Sequence, residues 1–270
     1  MKKRSVVLLL TLALVMTNLP AASAAFEWPV PEWNIPFVGT MKTSDGFSAV
    51  EVKDFRLFIE QEKKDLLNPK KTAATKPKAA KPDTPFPELP AGLPPILTET
   101  VPTDPDALTK RFLKSDFALY HLSMDDGEAI HSAWFLIARD GDEIPANVNI
   151  FTADVAPEQL AKLDEVKKWV DDNIHKAQYT DEKNKVSLKM LQMLPIQAYN
   201  RETGKMWTTA GRAMITVEGM PFAFFTRVFA LSIDNHLTVG ILGGFDGERS
   251  FWDPVVRDLL LGLKEPVIPR

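Results

Sequence analysis

Between residues 63 and 102 the chain loses every pattern that a folded segment needs. Residues 63–81, KKDLLNPKKTAATKPKAAK, hold seven lysines and one acid, and prolines follow at 82, 85, 87, 90, 94, 95 and 102. Lysine, alanine and proline without periodicity bury too little apolar area to offset the backbone entropy of folding. The stretch is therefore expected to be a disordered, semi-extended linker with polyproline character. It divides the chain into a leader at 1–24, an N-terminal segment at 25–62, the linker at 63–102 and a folded domain at 103–270. As a spacer the linker needs only to be solvated. The alternative is that Lys63, Lys64, Lys70, Lys71, Lys76, Lys78 and Lys81 bind an anionic surface such as a cell-wall polymer or acidic lipid. Each lysine near such a surface contributes about 1 kcal/mol.

The leader has three parts. Lys2, Lys3 and Arg4 precede the apolar stretch Val6–Met16, and Ala22 and Ala24 then occupy small-x-small positions. This is the order of a secretory signal, and its apolar run is shorter than the ~20 residues that cross a bilayer. Cleavage near Ala24 removes three bases and no acids, so the net charge moves from −4 to −4 − 3 = −7. No later run is long enough to span a membrane. The mature protein is thus expected to be secreted or periplasmic, with no transmembrane segment. The chain has no cysteine, which excludes disulfides, thiolate metal sites and a Cys nucleophile. With 32 Lys and Arg against 36 Asp and Glu, it lacks the basic excess of a general nucleic-acid binder. No nucleic-acid partner is expected.

Residues 26–37, FEWPVPEWNIPF, carry prolines at 29, 31 and 36. These forbid a helix interior and a central strand, so the segment should be extended. Trp28, Val30, Trp33 and Phe37 are more apolar surface than a free segment leaves in water. The segment reads as a strap over the core of the main domain, and the alternative is a partner-docking peptide using Trp28, Trp33 and Phe37. Residues 46–52 suit a short strand. Residues 54–67 suit a helix, with Asp54 as cap and Phe55, Phe58 and Ile59 on one face.

From Thr103 onward the pattern predicts a compact α+β domain. A helix opens at Asp104-Pro105, and strands at 116–124 and 128–139 join across Asp125-Asp126-Gly127. Asp140-Gly141-Asp142 reads as a turn and 147–152 as a further strand. Pro157 starts an amphipathic helix with Leu160, Leu163, Val166, Val170 and Ile174 on one face. Strands follow at 187–198, 206–218 and 223–233, and Asp234-Asn235 turns the chain into a last strand through Leu237, Val239 and Ile241. A final helix is expected to be capped by Ser250 with Asp253, to bury Phe251, Val255, Leu259, Leu260 and Leu263, and to stop at Pro266. Strands in sequence, interleaved with helices, predict a largely antiparallel sheet covered by helices.

Ala146-Asn147-Val148-Asn149-Ile150 leading into the Leu160–Val170 helix resembles the strand-to-helix crossover of the PsbP-like superfamily. That superfamily includes extrinsic photosystem subunits, DcrB-type lipoproteins and nuclear-import cofactors. Gly211-Arg212-Ala213, the hairpin at 223–242 and the helix ending Leu260-Leu261-Gly262-Leu263-Lys264 resemble its C-terminal half. The resemblance covers roughly 103–264 and implies an α/β/α sandwich with a non-catalytic binding or assembly role. It transfers no functional residue.

No catalytic signature is present: Gly-x-Ser-x-Gly, His-Glu-x-x-His and the nucleotide-binding glycine loops are all missing. Gly240-Ile-Leu-Gly243-Gly244 fits neither nucleotide fingerprint and reads as a tight turn. His121, Ser123, His131 and Asp125 or Asp126 fall around one hairpin, where two histidines facing each other beside a carboxylate are the raw material of a weak hydrolase. The plainer reading is a surface hairpin with two polar histidines. Asp140, Asp142, Glu143 and Asn147 offer oxygens for calcium, without the spacing of a dedicated loop. No metal and no cofactor are expected. Tyr199, Trp207, Phe222, Phe224 and Phe225 form an aromatic set that is either core or an apolar groove. The function that results is an exported, non-catalytic envelope protein that binds a protein or envelope component. Its alternative is a carrier of a lipid or small apolar ligand.

Overall fold

The computed structural model describes residues 32–67, 105–145, 149–152, 155, 157–173, 178–181 and 185–265. The leader, Trp28, the linker beyond Leu67, Asn147, Ile174 and Pro266 lie outside the described residues.

The chain is α+β and mostly antiparallel sheet. In order, the described elements are β1 (Glu32–Ile35), β2 (Gly39–Lys42), β3 (Phe47–Glu51), α1 (Lys53–Leu67), α2 (Pro105–Lys114), β4 (Asp116–Asp125) and β5 (Ile130–Glu143). There follow α3 (Pro157–Asn173), β6 (Gln178–Asp181), β7 (Val186–Met193), β8 (Gln197–Arg201), β9 (Gly204–Val217), β10 (Met220–Ile233), β11 (His236–Phe245) and α4 (Arg249–Leu261). Strands β3-β4-β5-β11-β10-β9-β7-β6 lie in that order in one sheet, with β8 also paired to β9. The β10–β11 turn rests on Asp234 and Asn235 at φ 48° and 59°, the left-handed pair that closes a two-residue hairpin.

Alternation along the strands sorts the side chains to two faces. On one face Phe135, Ile137, Phe225, Phe229, Leu231 and Leu242 pack with Trp252, Val256 and Leu260 of α4. Trp33, Ile35, Val38 and Met41 of the β1–β2 hairpin belong to the same core. Trp33 meets Tyr120 edge-on at 5.1 Å and Phe135 at 5.7 Å. Residues 32–42 thus pack on the main domain as a strap, a two-stranded ribbon with Pro36 in its turn. Thr40 and Lys264 exchange backbone hydrogen bonds at 2.9 Å each way, so the strap also holds the residues that follow α4. On the opposite face Phe55 and Ile59 of α1 pack with Leu119, and Phe112, Phe117, Trp134 and Leu136 surround them.

Several boundaries differ from the sequence reading, each for a local reason. Helix α1 runs through Leu67, past the expected linker start at 63. Lys63 is held there because its ammonium donates to the Ser115 carbonyl and lies 5.7 Å from the centre of the Phe117 ring. Asp140-Gly141-Asp142 is strand rather than turn, since β5 continues to Glu143. A Cβ on Gly141 would sit 2.1 Å from Lys114 Cβ, so the glycine serves the approach of α2. Residues 150–152 are turn and bend rather than strand. The expected strand 187–198 is split into β7 and β8 around Pro195, which has no amide hydrogen for a ladder. Ser250 does not cap the last helix: a 3-10 turn, Asp246–Glu248, already bends the backbone, and Asp253 pairs with Arg227 instead. The same helix stops at Gly262, before Pro266.

Candidate functional site

The two hairpin histidines are on opposite faces of the sheet. His121 stands opposite Trp134 and Met124 opposite His131 in the β4–β5 ladder, and His121 and Met124 are three positions apart, an odd step. The expectation that the two rings face each other fails on this parity. His121 Nε2 is 2.8 Å from Ser132 Oγ, a residue that the sequence reading did not select, and its ring lies 4.7 Å from that of Trp134. Burial lowers the His121 pKa from the usual 6.5. Ser123 is not its partner.

His131 sits between two carboxylates, with Nδ1 3.0 Å from Glu248 and Nε2 3.1 Å from Asp126. Asp126 is itself fixed by the backbone N–H groups of Glu128 and Ala129, at 2.9 and 2.8 Å. Those donors, followed by His131, hold its carboxyl at about 2. The arrangement joins the β4–β5 turn to the start of α4. Both ring nitrogens of His131 and both oxygens of Asp126 therefore have partners within the fold.

The acidic group at the end of β5 is engaged in the same way. Asp140 pairs with Arg111, Asp142 pairs with Lys114 at 2.7 Å, and Glu143 accepts from Asn235 at 3.2 Å. Among the described residues no group of three or more His, Cys, Asp or Glu side chains is placed to hold a metal ion.

The aromatic set does not form one groove. Phe225 is fully buried on the α4 face, and Tyr199 lies at the edge of that same core, its ring 5.8 Å from the Arg257 guanidinium. Trp207 points to the other face, where it packs with Ile144 and Phe151 and donates to the Ile150 carbonyl at 2.9 Å. Phe222 and Phe224 stay together, because both alternate away from Phe225 on β10. They meet Phe245, with ring centres 6.5 and 5.0 Å apart. Phe245 is 57% exposed. The sequence reading missed it, although its position directly after Gly243-Gly244 at the end of a strand is a visible signal. Of the three residues considered for partner docking, Trp33 is buried, Phe37 packs against the core and Trp28 is outside the described residues.

Among the described residues no helix is long and apolar enough to cross a membrane. No family model, curated protein or solved structure matches the chain.

Proposed function

We propose that the chain is an exported, non-catalytic binding module, a PsbP-like α/β/α sandwich that acts in the cell envelope and is tethered through its basic segment. Helix α4 packed on one face of the sheet and α1 packed on the other support the sandwich. The leader supports export. One observation carries the binding role. The polar groups that a reaction would use are paired with one another, while Phe222, Phe224 and the exposed Phe245 form an aromatic cluster at the surface. Exposed aromatic clusters are what interfaces use as anchors. A hydrolase on the 121–131 hairpin has no support from two histidines on opposite faces.

The same cluster supports the carrier reading in a weaker form, because only Phe222 and Phe224 of the expected groove are together. Native mass spectrometry of the protein purified from its own cells separates the two. A polypeptide bound in defined stoichiometry supports the binding module. A co-purified lipid mass supports the carrier and contradicts it.

A further inference from the structure

We infer that the end of the sheet formed by the β4–β5 and β9–β10 turns and the β11–α4 connection docks a polypeptide partner whose apolar side chains are flanked by lysine or arginine. This rests on the binding-module reading and assigns its surface. The antiparallel order β4-β5-β11-β10-β9 brings these three connections to one end. Three apolar side chains there are open: Ile130 is 75% exposed, Met220 58% and Phe245 57%, the last in contact with Phe224.

Charge decides what fits. Residues 125–130, 217–220 and 245–248 contain six acids, Asp125, Asp126, Glu128, Glu218, Asp246 and Glu248, against two neighbouring cations, Lys185, whose carbonyl accepts from the Glu218 amide, and Arg249, which lies near Asp246. Arg212 neutralises Asp246, and His131 lies between Asp126 and Glu248. Asp125, Glu128 and Glu218 are exposed. An apolar patch within an anionic rim repels acidic lipid head groups and draws in a cationic partner. Its aromatic rings supply the desolvated anchors, and the acids set register and association rate.

The position suits a tethered module. Lys63, one turn before the end of α1, is bonded at Ser115, just before β4 begins. The β4–β5 turn lies a full ten-residue strand away, about 30 Å at ~3.3 Å per residue. The described end of α1 therefore lies toward the opposite end of the sheet from the patch.

The test is a titration of the mature chain with a labelled peptide that alternates lysine with phenylalanine and leucine, compared with the same peptide carrying glutamate for lysine. The cationic peptide is expected to bind at low salt and to weaken as salt rises. Phe245→Ser and Glu128→Lys combined with Glu218→Lys should each weaken it at least tenfold, with melting temperature unchanged. Equal binding of the anionic peptide, unchanged binding by Phe245→Ser, or preference for phosphatidylglycerol vesicles overturns the inference. So does a large loss of melting temperature in Phe245→Ser, since the ring would then belong to the packing. A dimer in sedimentation that Phe245→Ser dissociates makes a second copy the occupant and also overturns it. If the peptide fails while native mass spectrometry still finds a bound polypeptide, this surface is wrong and the binding-module reading stands.

Discussion

The imidazole of His131 lies flat on the ring of Phe251, with centres 3.7 Å apart and planes 12° from parallel. This contact couples the β4–β5 turn to the first turn of α4, and Asp126 and Glu248 add a hydrogen bond to each ring nitrogen. Desolvation opposes a charge on His131. The hydrogen bonds and charges of the two carboxylates outweigh it and raise its pKa above 6.5. For His121, burial acts without such partners and lowers the pKa.

The two histidines of one hairpin are therefore predicted to titrate on opposite sides of 6.5. A raised folded pKa gives His131 a stabilising contribution that is complete below 6.5 and is lost as pH rises through the raised value. For His121 the sign reverses: its contribution is present above 6.5 and is lost as pH falls through the lowered value. Asp126, down from 3.8 to about 2, stabilises above 3.8 and loses this as pH falls towards 2. Ring-proton NMR titration reads both histidines directly. A His131 pKa at or below 6.5 contradicts the reading.

Trp33→Ala should destabilise the whole chain, because the indole is 5% exposed and packed on Phe47, Tyr120 and Phe135. Emptying such a site costs about 3–5 kcal/mol, or roughly 10 °C in melting temperature for a domain of this size. A truncation beginning at Thr103 also removes Phe47 on the edge strand and should be less stable than the mature chain. Unchanged melting in both would reject the strap as part of the fold.

Arg227 donates to Asp253 at 2.8 Å, with the two side chains only 12% and 16% exposed. Removing one partner leaves a largely buried charge without its counter-ion. Asp253→Leu should therefore cost about 3–5 kcal/mol. Arg227→Leu combined with Asp253→Leu should recover much of that loss. Denaturant unfolding of the two singles and the double closes the cycle, and strict additivity would contradict a direct pair.

Much of this was readable from periodicity. The alternation Phe225, Arg227, Phe229, Leu231 and Ile233 assigns one face of β10 correctly, and all five lie on the α4 side of the sheet. What was not readable depends on partners distant in sequence. Trp252, fully buried, escapes a stripe that periodicity phases on Phe251 and Val255, one residue away. Asp253 reads as a capping-box residue in the sequence because its partner, Arg227, lies 26 residues upstream. Parity along β4 and β5 was available for His121 and His131, but only the register decides it. The aromatic site was half visible: Phe222 and Phe224 came from β10, and Phe245 joins them only when β11 pairs alongside.

Gly240 shows how a motif-like glycine is explained by packing. It sits in β11, where a Cβ would come 2.8 Å from Phe135 Cζ. Gly240→Ala should cost about 1–3 kcal/mol through displacement of that ring, read as a lower denaturation midpoint. No loss would mean that the Phe135 ring moves aside freely.

The most direct measurement is site-specific photo-cross-linking in the protein's own cells, with a photoreactive phenylalanine analogue at Phe245 and, as control, at Leu57, which is 61% exposed on α1. The account predicts a discrete protein adduct from position 245, lost when Glu128 and Glu218 are both changed to lysine, and none from position 57. An adduct from position 57 alone, or lipid adducts from position 245, would contradict it.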